Sequence, residues 1–126
     1  MGQTGVLSDI LLGLGTSYIN NVSLYKVMFV KVYRYKIKRH DFRKWKKNSD
    51  AACRIYRKYG GGNSKRLFKK DGNFISVVEL DYYKLKKDCL KITKQVDKDS
   101  KTDALFQEFL SYVRNKRISK EEFETV

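Results

Sequence analysis

The segment LYKVMFVKVYRYKIKRHDFRKWKKNSDAACRIYRKY, Leu24 to Tyr59, changes its hydrophobic period in the middle, and that change sets the fold class. From Leu24 to Lys38 the residues alternate, with Tyr33, Tyr35 and Ile37 on one side and Arg34, Lys36 and Lys38 on the other. Val27, Phe29, Val30 and Val32 add β-branched and aromatic weight, so the stretch predicts a strand. From Asp41 to Tyr59 the period becomes helical. Phe42, Trp45, Ser49, Ala52, Cys53, Tyr56 and Tyr59 form one stripe, and Arg43, Lys44, Lys46, Lys47, Arg54, Arg57 and Lys58 fall largely opposite it.

Downstream, Gly60-Gly61-Gly62-Asn63-Ser64 reads as a flexible loop. It lacks the longer gap and the Gly-Lys-Ser/Thr ending of a phosphate-binding P-loop, which excludes nucleotide hydrolysis of that type. Asp71-Gly72-Asn73 is a tight-turn signal between Arg66–Lys70 and Phe74–Leu80 and predicts a β-hairpin. Glu79 and Asp81 are expected to end that strand and to cap a helix carrying Tyr82, Leu85, Cys89, Ile92 and Val96. Ser100 and Asp103 resemble the start of another helix, with Leu105, Phe106, Phe109, Leu110 and Val113 facing the core, and Ser119 with Glu122 predicts a last helical turn.

At 126 residues the chain suits one domain. The expected fold is a small single α+β domain over residues 1–126. It has about three antiparallel strands, one long strand plus a hairpin, packed with three to four helices. An apolar N-terminal segment spans 1–23, a basic strand, helix and loop span 24–70, and the return strand and C-terminal helices span 71–126.

Charge is concentrated in one place. Residues 24–70 hold seventeen Lys and Arg against Asp41 and Asp50, a net of +15, whereas the whole chain carries +14. Nine aromatic residues are interleaved with these cations. A dense positive field containing flat side chains suits a polyanion. The expected phosphate-binding set is Arg34, Lys36, Lys38, Arg39, Arg43, Lys44, Lys46, Lys47, Arg54, Arg57, Lys58, Lys65 and Arg66 on one continuous surface. Tyr33, Tyr35 and Trp45 are the candidates for stacking on unpaired bases. The first functional expectation is therefore a non-enzymatic protein that binds RNA or DNA.

Residues 1–23 carry one charge, Asp9, and set Val6, Leu7, Ile10, Leu11 and Leu14 at helical spacing, as a packing helix would. The opening Met1-Gly2-Gln3-Thr4 resembles the beginning of gammaretroviral Gag polyproteins, in which the glycine is myristoylated and a matrix domain follows. The resemblance implies lipidation at Gly2, although Val6 stands where that motif has Ser or Thr. A myristoyl chain plus a basic patch is a two-signal membrane anchor. The second expectation is thus a matrix-like peripheral protein on anionic lipid, virion-associated or membrane-peripheral. A third is an interaction protein or inhibitor that docks on an acidic or nucleic-acid-binding partner.

Chemistry-bearing residues are sparse. Cys53 and Cys89 are the only cysteines, too few for a disulfide framework, and read as reduced thiols in a cytoplasmic, reducing compartment. His40 is the only histidine, and no ligand spacing for zinc occurs. No metal, no cofactor and no catalytic residue is expected.

Overall fold

In a computed structural model of the protein, residues 28–125 are described. Four strands and three helices follow in the order β1 (Phe29–Lys38), α1 (Phe42–Lys58), β2 (Ser64–Asp71), β3 (Phe74–Tyr83), α2 (Lys86–Lys98), α3 (Thr102–Tyr112) and β4 (Ser119–Glu124). The strands form one antiparallel sheet in the order β2-β3-β1-β4. A helix connects β1 to a strand two places away, and β3 returns between them. This is the split β-α-β, or ferredoxin-like, arrangement. The α+β domain expected from the period change is what the chain forms. The expected apolar helix and Gly2 lie outside the described residues.

Strand alternation sorts β1 between two faces. Phe29, Tyr35 and Ile37 join Trp45, Ile55, Ile75, Val77, Tyr83, Cys89, Ile92, Val96 and Val113 in the core between sheet and helices. Val30 and Val32 belong to a separate cluster with Met28 and Leu80 on the opposite face. The predicted stripe of α1 does turn inward, with Trp45, Ser49 and also Asn48 and Ile55 buried. Asn48 stays satisfied there because its Nδ2 donates to the Leu105 carbonyl at 2.9 Å, which ties α1 to α3.

Glycines end α1. The Gly61 N–H donates to the Tyr56 carbonyl at 2.8 Å and the Gly60 N–H to Arg57 at 3.1 Å, with Gly60 at φ 95°, a Schellman termination. Gly62 sits at φ 90°, and a β-carbon there would lie 2.4 Å from Arg57 Cγ and 3.3 Å from its backbone N. Gly62→Ala should therefore cost about 1–3 kcal/mol from strain and crowding together. Urea unfolding followed by circular dichroism would show this as a lower midpoint at an unchanged slope.

Three local expectations are corrected. Asp81 caps nothing: β3 runs on to Tyr83, and α2 starts from Leu85 with no side-chain cap. Phe106 is among the exposed apolar side chains, not in the core. Residues Ser119–Glu124 form a fourth strand in place of a helical turn. The reason lies in charge and in an open edge. The free side of β1 presents Lys31, opposite which the acidic tail sets Glu122, and Arg34, which Glu121 reaches diagonally in a salt bridge from its place opposite Val32. The tail is wholly exposed, an edge strand kept polar by its charges.

Candidate functional site

Two carboxylic acids occupy the middle of the sheet on the face that the helices cover. Along β3 the inward positions run Ile75, Val77, Glu79, Asp81 and Tyr83, so the acids lie in phase with the core. Register sets Tyr33 opposite Glu79 and Lys31 opposite Asp81 on β1, and Arg66 opposite Glu79 and Ser64 opposite Asp81 on β2. Helix α1 roofs this floor with Trp45, Asp50, Cys53 and Tyr56. Cys53 Sγ lies 3.5 Å from Ser64 Oγ. Trp45 Nε1 donates to the Tyr35 hydroxyl at 3.0 Å, and that hydroxyl reaches Glu79 Oε1 at 3.4 Å. Arg66 is spoken for on one side, its Nη2 donating to Asp50 Oδ1 at 2.7 Å, while its Nη1 is buried without a hydrogen-bond partner among the described residues.

Both acids are half-buried, and loss of hydration dominates their electrostatics. It pushes the Glu79 carboxyl up despite Asp81, Arg66 and Tyr35, which favour its charged form. Asp81 is pushed up by burial and then by the charge of Glu79, against the pull of Lys31 and Arg66. Two carboxylates this close resist double ionisation, so the pair holds a proton at pH values where exposed acids have lost theirs. The phenols of Tyr33, Tyr35, Tyr56 and Tyr83 are all held above their usual range, chiefly by burial and then by these acids. Asp50 moves the other way, because Arg66 and Lys46 hydrogen-bond its charged form. The pair is thus a proton reservoir with a guanidinium and four phenols around it.

Tyr83 lies between this interior and a surface groove. It packs in the core beside Cys89 and Ile92, yet it also lines an open groove of about 540 Å³ at the end of β3. Tyr59 and Tyr82 give that groove aromatic walls, and Lys58, Lys84 and Lys91 outnumber Asp88 on its rim. Asp81 lies two strand residues inward of Tyr83, about 7 Å along the backbone.

No protein-family model and no curated protein matches the sequence. Solved structures do match the fold. A NIPSNAP family protein of unknown function from Agrobacterium tumefaciens aligns over 79% of this chain and 88% of its own, with a TM-score of 0.63 and 12% identity. A putative antibiotic biosynthesis monooxygenase from Nitrosomonas europaea aligns over 76% and 88%, with a TM-score of 0.57 and 11% identity. SnoaB, a cofactor-independent oxygenase from Streptomyces nogalater, aligns over 79% and 91%, with a TM-score of 0.55 and 8% identity. The chain has a NIPSNAP and monooxygenase-like fold. That fold houses oxygenases as well as proteins of unassigned function.

The nucleic-acid-binding expectation is corrected by this likeness and by the placement of the cations. Arg34, Lys36 and Lys38 point away from the helices, as does Lys65, which pairs with Leu80. Arg43, Lys44, Lys46, Lys47, Arg54, Arg57 and Lys58 cover the outer side of α1, beyond the helix layer. Arg66 turns inward. The sheet and its core separate the two groups, so no continuous patch forms. Several of the cations are also engaged by acids: Arg34 by Glu121, Lys36 by Asp71 at 2.9 Å, Lys46 by Asp50 and Lys58 by Asp99, each at 3.2 Å. Arg39 leans on the Gly72 carbonyl at 3.4 Å. Tyr35 and Trp45, 6% and 2% exposed, have no ring face free for a base, and Tyr33 packs against the core. The matrix-like and docking expectations are corrected by the same likeness, whose members are NIPSNAP and monooxygenase-fold proteins. No helix among the described residues is long and apolar enough to cross a membrane.

Glu79 and Asp81, expected at a strand end and a helix start, lie inside β3 instead. A signal for them exists in the strand itself: inward positions alternate from Ile75 through Tyr83, and two acids fall on that beat.

Proposed function

We propose that this chain binds a small enolisable or phenolic organic molecule that enters by the Tyr83-lined groove and reaches inward past Tyr83, about 7 Å along β3, where Asp81 of the Glu79–Asp81 pair takes the acidic proton of that molecule. This reading replaces the expectation of a chain without catalytic residues. The observation that carries it is the acid pair, set mid-strand under α1 and held partly protonated by burial. A carboxylate with a raised pKa is a stronger base than an exposed one and works near neutrality. The guanidinium of Arg66, opposite Glu79 on β2, favours the ionised form of the pair that a base must reach. The tyrosines supply aromatic walls and hydroxyl groups. The fold-mate named as a cofactor-independent oxygenase supports the reading, since such chemistry draws on the substrate's own electrons, which loss of a proton makes available.

The test is hydrogen–deuterium exchange at the acidic C–H of β-tetralone and related bicyclic enolisable ketones in heavy water, followed by proton NMR. The wild-type chain should speed exchange over buffer by about a hundredfold or more, and Glu79→Gln and Asp81→Asn should each remove most of that acceleration. Exchange at the buffer rate with every ketone, or full acceleration in both variants, would overturn the proposal.

A further inference from the structure

We infer that a second groove, on the other edge of β1, binds a compact oligophosphate of the pyrophosphate or triphosphate class. The groove comes from a break in the β1–β4 ladder. Pairing stops at Arg34↔Ser119, and contact resumes only at the isolated bridge Ile37↔Val113. Between these points the chain from Arg114 to Ile118 swings outward and leaves Tyr35 and Lys36 without a strand partner on that edge. The resulting space is about 690 Å³ and is lined by Arg34, Lys36, Arg114, Lys116 and Arg117, with no acidic residue in the lining.

The outward loop is held in place before any ligand arrives. Lys116 N–H donates to the Val113 carbonyl and Arg117 N–H to that of Arg114, both at 3.1 Å. The guanidinium of Arg114 lies 4.6 Å from the centre of the Phe74 ring, a cation–π contact that fixes its direction. Asn115 and Lys116 both adopt left-handed backbone, φ 54° and 53°. Asparagine tolerates that region, whereas lysine adopts it at a cost, and strain of this kind gathers where a loop serves a ligand.

Charge selects the occupant. Glu121 engages Arg34 and Asp71 engages Lys36 from outside the groove, and no salt bridge among the described residues engages Arg114, Lys116 or Arg117. Three uncompensated cations crowded on one short loop repel each other, and an anion of three or four charges relieves all of them at once. Guanidinium groups match phosphate oxygens with paired hydrogen bonds, which lysine alone does not provide. Arg114, Lys116 and Arg117 lie outside the basic block that dominates the sequence, and the loop that gathers them is a product of the β4 pairing.

The experiment is a ¹H–¹⁵N NMR titration of the full chain with sodium pyrophosphate and sodium triphosphate at constant ionic strength, with sodium sulfate in parallel. The proposal expects shifts confined to Arg34, Lys36 and residues 113–119, and binding at least tenfold tighter for triphosphate than for sulfate. The double variant Lys116→Asn, Arg117→Gln keeps a residue that tolerates the left-handed turn, and it should weaken triphosphate binding about tenfold or more. Arg43→Gln with Lys44→Gln, on the outer side of α1, should change nothing. Equal affinity for sulfate, shifts spread over the α1 surface, or equal losses in the two double variants would each overturn the proposal.

Discussion

Asp81→Asn is expected to stabilise the protein at mildly alkaline pH, although it removes a charged group from a very basic chain. Burial pushes the Asp81 carboxyl up to about 8. The folded state therefore keeps a proton that the unfolded chain gives up near its ordinary carboxylate value. The stabilisation this provides is complete below that ordinary value and is lost as pH rises through the folded one, so the window runs from about pH 4 to about pH 8. One proton corresponds to about 1.4 kcal/mol per pH unit within such a window. After allowance for relaxation and for the attraction of Lys31 and Arg66, wild-type stability should fall by roughly 2–4 kcal/mol between pH 5 and 8. The asparagine variant cannot ionise and should lose much less. Asp50, Asp71 and Asp99 have lowered values, so their contributions disappear only below the ordinary carboxylate range, whereas Glu79 is also pushed up by burial and leaves the variant a smaller slope of the same sign. Urea unfolding at four pH values reads the difference. Parallel slopes for the two proteins would show that the proton held by the pair does not reside on Asp81.

Trp45→Ala should produce the larger loss of stability, about 3–5 kcal/mol, the range for truncating a buried tryptophan. Trp45 is 2% exposed, packs edge-on to Tyr35 with ring centres 6.5 Å apart, and lies 5.5 Å from the ring of Phe42. Its Nε1 hydrogen bond orients the Tyr35 hydroxyl, which in turn meets Glu79, and the Arg66 guanidinium rests 5.9 Å from its ring centre. Removing the indole thus takes away volume, one hydrogen bond and the platform of the one arginine that reaches the acid pair. Trp45→Phe retains most of the apolar contact and loses the donor, and should cost about 1–2 kcal/mol. A ratio near one between the two variants in chemical denaturation would contradict this account of the site's support.

Much of the local structure was legible. The alternation through Tyr33–Lys38 is a strand, the stripe from Phe42 to Tyr59 is a helix with that face inward, and Asp71-Gly72-Asn73 turns the hairpin. Each of these is fixed by residues within four positions of one another, through side-chain period or turn chemistry. The candidate site was legible only in its parts. Glu79 and Asp81 look like boundary residues when read beside Tyr82 and Tyr83. Their interior position follows from β3 lying between β1 and β2 with α1 across it.

The amino-acid order thus dictates which segments are strands and which are helices, because period, turn residues and glycine termination act over a single turn or a single pleat. Tertiary structure alone dictates which side of the sheet each charge occupies. It recruits the acidic tail to β1 across more than eighty residues, parts Arg34 from Arg43 by a core, and draws two carboxylic acids beneath a helix. Those outcomes depend on strand order and register, which arise when distant segments compete for the same edge and the same apolar cover.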